Sequence, residues 1–197
     1  MLIDLALLVL AYLLGSLSFG LLLARLHGGV DLQRSGSGNI GATNVARIMG
    51  KTAGVLTLLG DGSKGLLAVL IAQTWGSSPR VAAAAALVVV LGHIFPLYYR
   101  FRGGKGVATA LGALLLTLPL PLLGGLGVWV VVVAIWHYVS AGSMLAAIVV
   151  PILAALLAYP LPLVVAASLI AFLVLYKHRS NLQRLLQGNE PKIFVDR

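Results

Sequence analysis

Cysteine is absent from this 197-residue chain. Disulfides, thiolate metal sites and a cysteine nucleophile are therefore excluded. Acidic residues are almost as scarce: five Asp+Glu stand against fourteen Lys+Arg. So few carboxylates make a Ser-His-Asp triad or a multi-carboxylate Mg²⁺ site hard to build. Charge of either sign is thin, at 10% of residues, where a soluble domain carries about 25%. What fills the chain instead is 60% apolar residues and a mean hydropathy of +1.03. These values describe an integral membrane protein. In that setting the net charge of +9 points to anionic headgroups, a cytoplasmic surface or an anionic substrate, and not to nucleic acid.

A helix crosses the ~30 Å hydrocarbon core with about 20 residues. Seven apolar runs are the candidate spans, the later ones short: Leu5 to Leu23, Ala53 to Trp75, Val81 to Tyr99, Val107 to Leu123, Leu126 to Trp136, Met144 to Tyr159 and Leu161 to Tyr176. The first has no small-residue cleavage site, so it is expected to be a span and not a removed signal peptide. Pro119/Pro121, Gly124-Gly125, Ala141-Gly142 and Pro160/Pro162 are the expected breaks. The expected fold is an all-α membrane protein, one polytopic domain over 1–197 with seven spans, or six if one run merges or re-enters. Alternate loops then share a side. One side collects Arg25, Arg34, Arg47 and Lys51, then Arg100, Arg102 and Lys105, then Lys177, Arg179, Arg184, Lys192 and Arg197; the other has Arg80 alone. The positive-inside rule makes the rich side cytoplasmic, with the N-terminus outside and the C-terminus inside.

The polar chemistry collects on that same side. The first loop reads Ser35-Gly36-Ser37-Gly38-Asn39-Ile40-Gly41-Ala42-Thr43-Asn44-Val45-Ala46-Arg47. Successive amides in a glycine-rich turn make an anion-binding nest, and Arg47 adds a fork suited to phosphate. No Gly-Lys-Ser/Thr follows at Walker A spacing. The third loop carries Gly103-Gly104-Lys105-Gly106 directly before an apolar helix, whose free amides and partial positive charge attract anions. The tail carries His178 and Asn181, which share a helix face. Each segment also has a plainer reading, as a headgroup-level loop, a positive-inside anchor or a snorkelling helix end. Asp61 and Lys64 lie within an apolar run at i, i+3, so a structural ion pair is expected, with direct ligand contact by Lys64 as the alternative. His93 is expected at a polar mouth or packed near Pro96. No histidine is followed by a carboxylate at His-x4-Asp spacing, and no His/carboxylate cluster has metal-ligand spacing. Glycines, amides, hydroxyls and cations bind phosphate and stabilise negative charge.

Several segments together resemble the bacterial membrane acyl-phosphate:glycerol-3-phosphate acyltransferase family. They are Gly36-Ser-Gly-Asn-Ile-Gly-Ala-Thr-Asn44 with Arg47, Asp61-Gly-Ser-Lys64-Gly65, Gly92-His93-Ile-Phe95-Pro96 with Gly103 to Thr109, and His178-Arg179-Ser-Asn181 with Arg184, Gly188 and Glu190. The turn Ser140-Ala-Gly-Ser143 fits the family's serine-bearing loop more loosely. The resemblance implies a seven-span fold and transfer of a fatty acyl group from acyl phosphate to the 1-hydroxyl of sn-glycerol 3-phosphate, giving lysophosphatidic acid and inorganic phosphate. It implies neither acyl-CoA nor acyl carrier protein as direct donor, and no cofactor and no metal are expected. The expected catalytic residues are Arg47, Lys105, His178 and Asn181. The expected substrate-binding residues are Ser37, Gly38, Asn39, Gly41, Thr43, Asn44, Lys64, Gly103, Gly104, Gly106 and Ser143. In this scheme Ser37, Gly38, Asn39, Thr43 and Arg47 hold one phosphoryl group; Lys105, His178 and Asn181 hold the other and the developing oxyanion. The competing reading is a transporter or channel for a phosphorylated solute or lipid, against which stands the one-sided placement of the polar residues. A non-catalytic membrane anchor would not need the Asn/Gly/Ser clustering.

Overall fold

The structure, a computed structural model, describes residues 1–193; Arg197, counted above among the tail cations, lies outside them. Ten α-helices and no strand occur among the described residues. They are α1 (Leu2–Ser16), α2 (Phe19–Leu26), α3 (Ala42–Met49), α4 (Lys51–Trp75), α5 (Pro79–Ile94), α6 (Val107–Leu115), α7 (Pro119–Trp136), α8 (Val139–Leu156), α9 (Leu161–Lys177) and α10 (Arg179–Leu186), with a 3-10 turn at Leu97–Tyr99. The chain divides into two compact units, 1–117 and 118–197.

Among the described residues, four helical segments are long and apolar enough to cross a bilayer unaided: α4, α5 extended to Tyr99, α7 and α8. Two more arise as bent pairs, α1 with α2 at 41° and α9 with α10 at 55°. The expected run from Val107 to Leu123 is in fact two elements. Helix α6 has nine residues, about 13 Å at ~1.5 Å each, which is under half of the hydrocarbon core. The chain then breaks and α7 starts at Pro119. Proline suits the first turn of a helix, where its missing N–H has no intrahelical acceptor; Pro119 opens a span here and does not close one. The expected breaks at Gly124-Gly125 and Ala141-Gly142 lie inside α7 and α8. A Cβ on Gly125 would stand 2.7 Å from Val150, and one on Gly142 3.0 Å from the Trp129 ring. Those glycines let α7 and α8 close on each other and make no turn.

In the first unit α1 packs on α5, and α4 packs against α1, α3, α5 and α6. The crossing of α4 and α6 is backbone to backbone. A side chain at Gly65 would run into the carbonyl of Thr109, and one at Gly112 into the carbonyl of Gly62. Gly65→Val should therefore destabilise the protein by at least the ~1–3 kcal/mol of ordinary overpacking. Gly127→Val, where an added Cβ would meet open space beyond its own helix, is the control and should be near neutral. Unfolding in micelles, followed by circular dichroism, checks both.

Candidate active site

The first loop is built around Asn44. Its side chain is 1% exposed and held on all sides. Oδ1 accepts the Ser37 N–H at 2.8 Å, while Nδ2 donates to the carbonyls of Asn39 (2.7 Å), Ser35 (3.1 Å) and Leu32 (3.3 Å). Gly36, with φ +60, places its backbone where a Cβ would collide with that amide. Beneath the loop, Leu32, Ile40 and Val45 bury with Ala24 of α2 in a small core of their own. Asn44 thus shapes the loop from inside, with its amide engaged by protein groups. Ser37, Asn39, Gly41 and Thr43 stay half-buried at the loop surface, and Gly38 and Arg47 are exposed. Gly41 caps α3, so Thr43 lies in the first turn, where helix amides face outward.

The third loop is pinned at both ends. The Phe101 N–H reaches the Pro96 carbonyl at 2.9 Å, and those of Gly103 and Gly104 reach the carbonyls of Ile94 (3.2 Å) and His93 (3.3 Å). Arg100 and Phe101 adopt φ of 52° and 59°. Left-handed backbone is uphill for such residues by roughly 1–2 kcal/mol each, so the surrounding contacts hold the turn closed. Gly106, φ +83, caps α6. Lys105, half-buried, therefore sits directly ahead of a helix amino end. Gln33 Nε2 donates to the Arg102 carbonyl at 3.3 Å, which ties the first loop to the third.

Lys64 is corrected. Its ammonium is buried and faces three acceptors: the Leu17 carbonyl, Asp61 Oδ1 at 3.0 Å and His93 Nδ1 at 2.9 Å. An ammonium has three protons, so this one is saturated by protein. The structural ion pair is the reading that stands, and His93 lies within it and not at a polar mouth.

The second unit carries its own polar cluster. Glu190 Oε1 accepts from Ser140 Oγ and from Asn181 Nδ2, both at 2.6 Å, while Oε2 accepts from Arg184 Nε at 2.8 Å. Burial alone would raise this carboxyl's pKa; hydrogen bonds from Ser140, Asn181 and Arg184, with the Arg184 charge, outweigh it and lower the pKa. The Ile193 N–H closes on the His137 carbonyl at 2.9 Å, which holds the returning tail. His178, buried at the bend between α9 and α10, bonds through Nδ1 to the Val174 carbonyl at 2.8 Å. The Ser143 hydroxyl donates to its own helix at Val139. Ser140, one turn earlier, is the serine that enters the cluster. Glu190 is among the residues that carry the family resemblance, but its grip on Asn181 needs the tail's reversal, which sequence spacing does not reveal.

These features define an all-helical membrane protein with phosphate-suited loops in its first unit. A model of the family described as glycerol-3-phosphate acyltransferase matches residues 5–188. The glycerol-3-phosphate acyltransferase of Trichlorobacter lovleyi is 48% identical over 182 residues, covering 92% of this chain and 93% of that one. That of Geobacter sulfurreducens is 47% identical, covering 98% of each. Among solved structures, the glycerol 3-phosphate form of the integral membrane acyltransferase PlsY superposes with a TM-score of 0.92 at 42% identity, covering 96% of this chain and 95% of that one. Its lysophosphatidic acid form gives 0.89 at 41%, with the same coverage. The chain belongs to the glycerol-3-phosphate acyltransferase family and is a membrane acyltransferase.

The Glu190 cluster makes a signed prediction. A carboxyl with a lowered folded pKa contributes stability above its unfolded pKa and loses it as pH falls through the folded one. Glu190→Gln should therefore lower the thermal midpoint at pH 7. The gap from the native chain should narrow as pH drops below the ordinary glutamate value of about 4.5. Thermal melts between pH 7 and pH 3 check it.

Proposed function

We propose that the protein transfers a fatty acyl group from acyl phosphate to the 1-hydroxyl of sn-glycerol 3-phosphate, yielding lysophosphatidic acid and inorganic phosphate in the first acylation of phospholipid synthesis. The observation that carries this reading is the joining of two anion-suited loops by the Gln33–Arg102 hydrogen bond. One loop offers the Ser37, Gly38, Asn39, Thr43 and Arg47 set for a phosphoryl group. The other offers Lys105, directly ahead of the α6 amino end at Gly106, for a second, on a turn that the Gly103 and Gly104 amides close onto Ile94 and His93. Family membership supports the same reading, since a solved relative is the glycerol 3-phosphate form.

The chemistry fits such a toolkit. The glycerol oxygen attacks the acyl carbon, the bond from that carbon to the phosphate oxygen breaks, and phosphate leaves with the electron pair. The hydroxyl proton passes to the departing phosphate or to His178. Acyl phosphate is already activated, so the protein's task is to hold two anions together and offset their repulsion. In the second unit, Asn181 and His178 are assigned to the developing oxyanion. The acyl tail has apolar surface on the spans, including a groove of about 470 Å³ lined by Leu8, Val9, Tyr12, Val88, Leu91 and Phe95.

We place the protein in a bacterial plasma membrane with seven membrane elements, α6 being the short one. The N-terminus lies outside, and the C-terminus and active site face the cytoplasm, where both substrates are made. The basic loops support this orientation.

Incubating the purified protein in micelles with acyl phosphate and glycerol 3-phosphate should release phosphate and lysophosphatidic acid in equal amounts. No product would overturn the enzyme reading, and uptake of phosphorylated solute by sealed vesicles would favour a transporter. Lys105→Ala and Arg47→Ala should each lower kcat/KM by about tenfold or more, as loss of a charge-assisted phosphate contact implies. Full turnover in His178→Ala would leave phosphate as the proton acceptor. Orientation is tested separately. With no native cysteine, Arg80→Cys should label from outside intact cells and Gln187→Cys only after permeabilisation.

A further inference from the structure

His93 takes no part in the reaction just described, yet it is 5% exposed and wedged between the buried ion pair and the Lys105 loop. Its Nδ1 lies 2.9 Å from Lys64 Nζ and 3.7 Å from Asp61 Oδ1. An ammonium only donates, so Nδ1 accepts and the ring proton sits on Nε2. Nε2 is the edge turned to Gly104: a side chain built there would run straight into it. The backbone of the same segment is engaged too, through the His93 and Ile94 carbonyls that receive Gly104 and Gly103. The ring cannot retreat, because Lys64 is itself anchored on Asp61 and on the Leu17 carbonyl.

From this geometry we infer that His93 is a positioning residue: it fixes the Gly103–Gly106 turn, and through that turn the Lys105 ammonium, without touching substrate. The inference rests on the phosphate-binding role proposed above for Lys105. Its chemical basis is placement. A charge displaced by about 1 Å from a reacting group can lower a rate by about a hundredfold. The glycines flanking Lys105 have no side chains to hold it in place. A buried ring pressed on Gly104 supplies what they lack.

Two substitutions separate the two edges of the ring. In His93→Asn the amide oxygen replaces Nδ1 as acceptor for Lys64 but stops short of Gly104. In His93→Gln the amide nitrogen reaches toward the place of Nε2. The full chain in micelles is read two ways. Hydrogen exchange over residues 101–107 reports the turn without reference to activity. A double-mutant cycle with Lys105→Ala reports whether His93 acts through that lysine. We expect His93→Asn to speed exchange at 103–106 about tenfold or more. It should lower kcat/KM for glycerol 3-phosphate by roughly ten- to a hundredfold in the native background and by less than about twofold beside Lys105→Ala. His93→Gln should recover most of both losses. Unchanged exchange in His93→Asn overturns the inference. So does an equal loss in both backgrounds, which would mark a general effect on the fold. If His93→Asn does not accumulate, Gly104→Ala presses the same contact from the other side, and unchanged exchange at 103–106 there overturns it equally. Should Lys105→Ala keep full activity, the functional assignment fails, while the exchange measurement still decides whether His93 holds the turn.

Discussion

A single buried ammonium organises the first unit. Lys64 sits in the middle of α4 at 3% exposure, where an isolated charge is costly by several kcal/mol. The chain makes that charge tolerable by breaking another helix beside it. Between α1 and α2 the backbone leaves helical geometry at Leu17 and Ser18, so carbonyls and N–H groups lose their intrahelical partners. Lys64 takes the Leu17 carbonyl, and Asp61 receives the Phe19 N–H at 3.5 Å. The two members of the ion pair thus satisfy the two polarities of one helix break. Ser18 caps the restarted helix at Leu21, and Ser16 accepts the Leu97 N–H at 3.2 Å. The break is tied in this way to the loop that leads to Lys105.

The same arrangement explains what the sequence disclosed and what it withheld. An acid and a base at i, i+3 inside an apolar run read directly as a pair, because helical geometry alone brings them together. Their third partner, His93, lies twenty-nine residues on, and nothing local signals it. The break at Leu17 was hidden for a related reason. Ser16 and Ser18 are weak marks in an apolar run, and only the partners brought by α4 and the α5–α6 loop make a break stable there. Glycine was ambiguous in both directions. Gly103 to Gly106 read correctly as a turn, while Gly125 and Gly142 read as turns and are packing surfaces. Bilayer helices use glycine for close approach, so the residue type alone does not separate the two uses.

Asn residues show a parallel division of labour. Asn44 spends its whole amide inside the first loop, and Asn181 is oriented by Glu190. A side-chain amide carries both donors and acceptors. It can therefore replace a missing backbone partner in an irregular segment, which hydroxyls do less completely. The first loop has no regular secondary structure from Gly28 to Gly41; its order comes from one buried amide, the Asp31 carboxylate, a few turn hydrogen bonds and a handful of apolar side chains. The surface residues Ser37, Asn39 and Thr43 are left presented on a shaped frame.

The carboxylates then bear on the chemistry. Of the five acids, Asp196 lies outside the described residues, and the other four are engaged. Asp4 receives the Ser77 N–H and hydroxyl at 2.9 Å each; Asp31 receives the N–H groups of Gln33 and Arg34 at 3.1 and 3.3 Å. Asp61 serves the helix break, and Glu190 holds Asn181 and Ser140. A carboxylate held at lowered pKa by three hydrogen-bond donors is a poor proton acceptor. In the proposed transfer, the proton leaving the glycerol hydroxyl is therefore better matched to the departing phosphate, whose second ionisation lies near neutrality, or to an imidazole. The poverty in acid that marks the composition is then compatible with catalysis, because the substrate carries its own base. The few acids that remain hold the cations and amides in place.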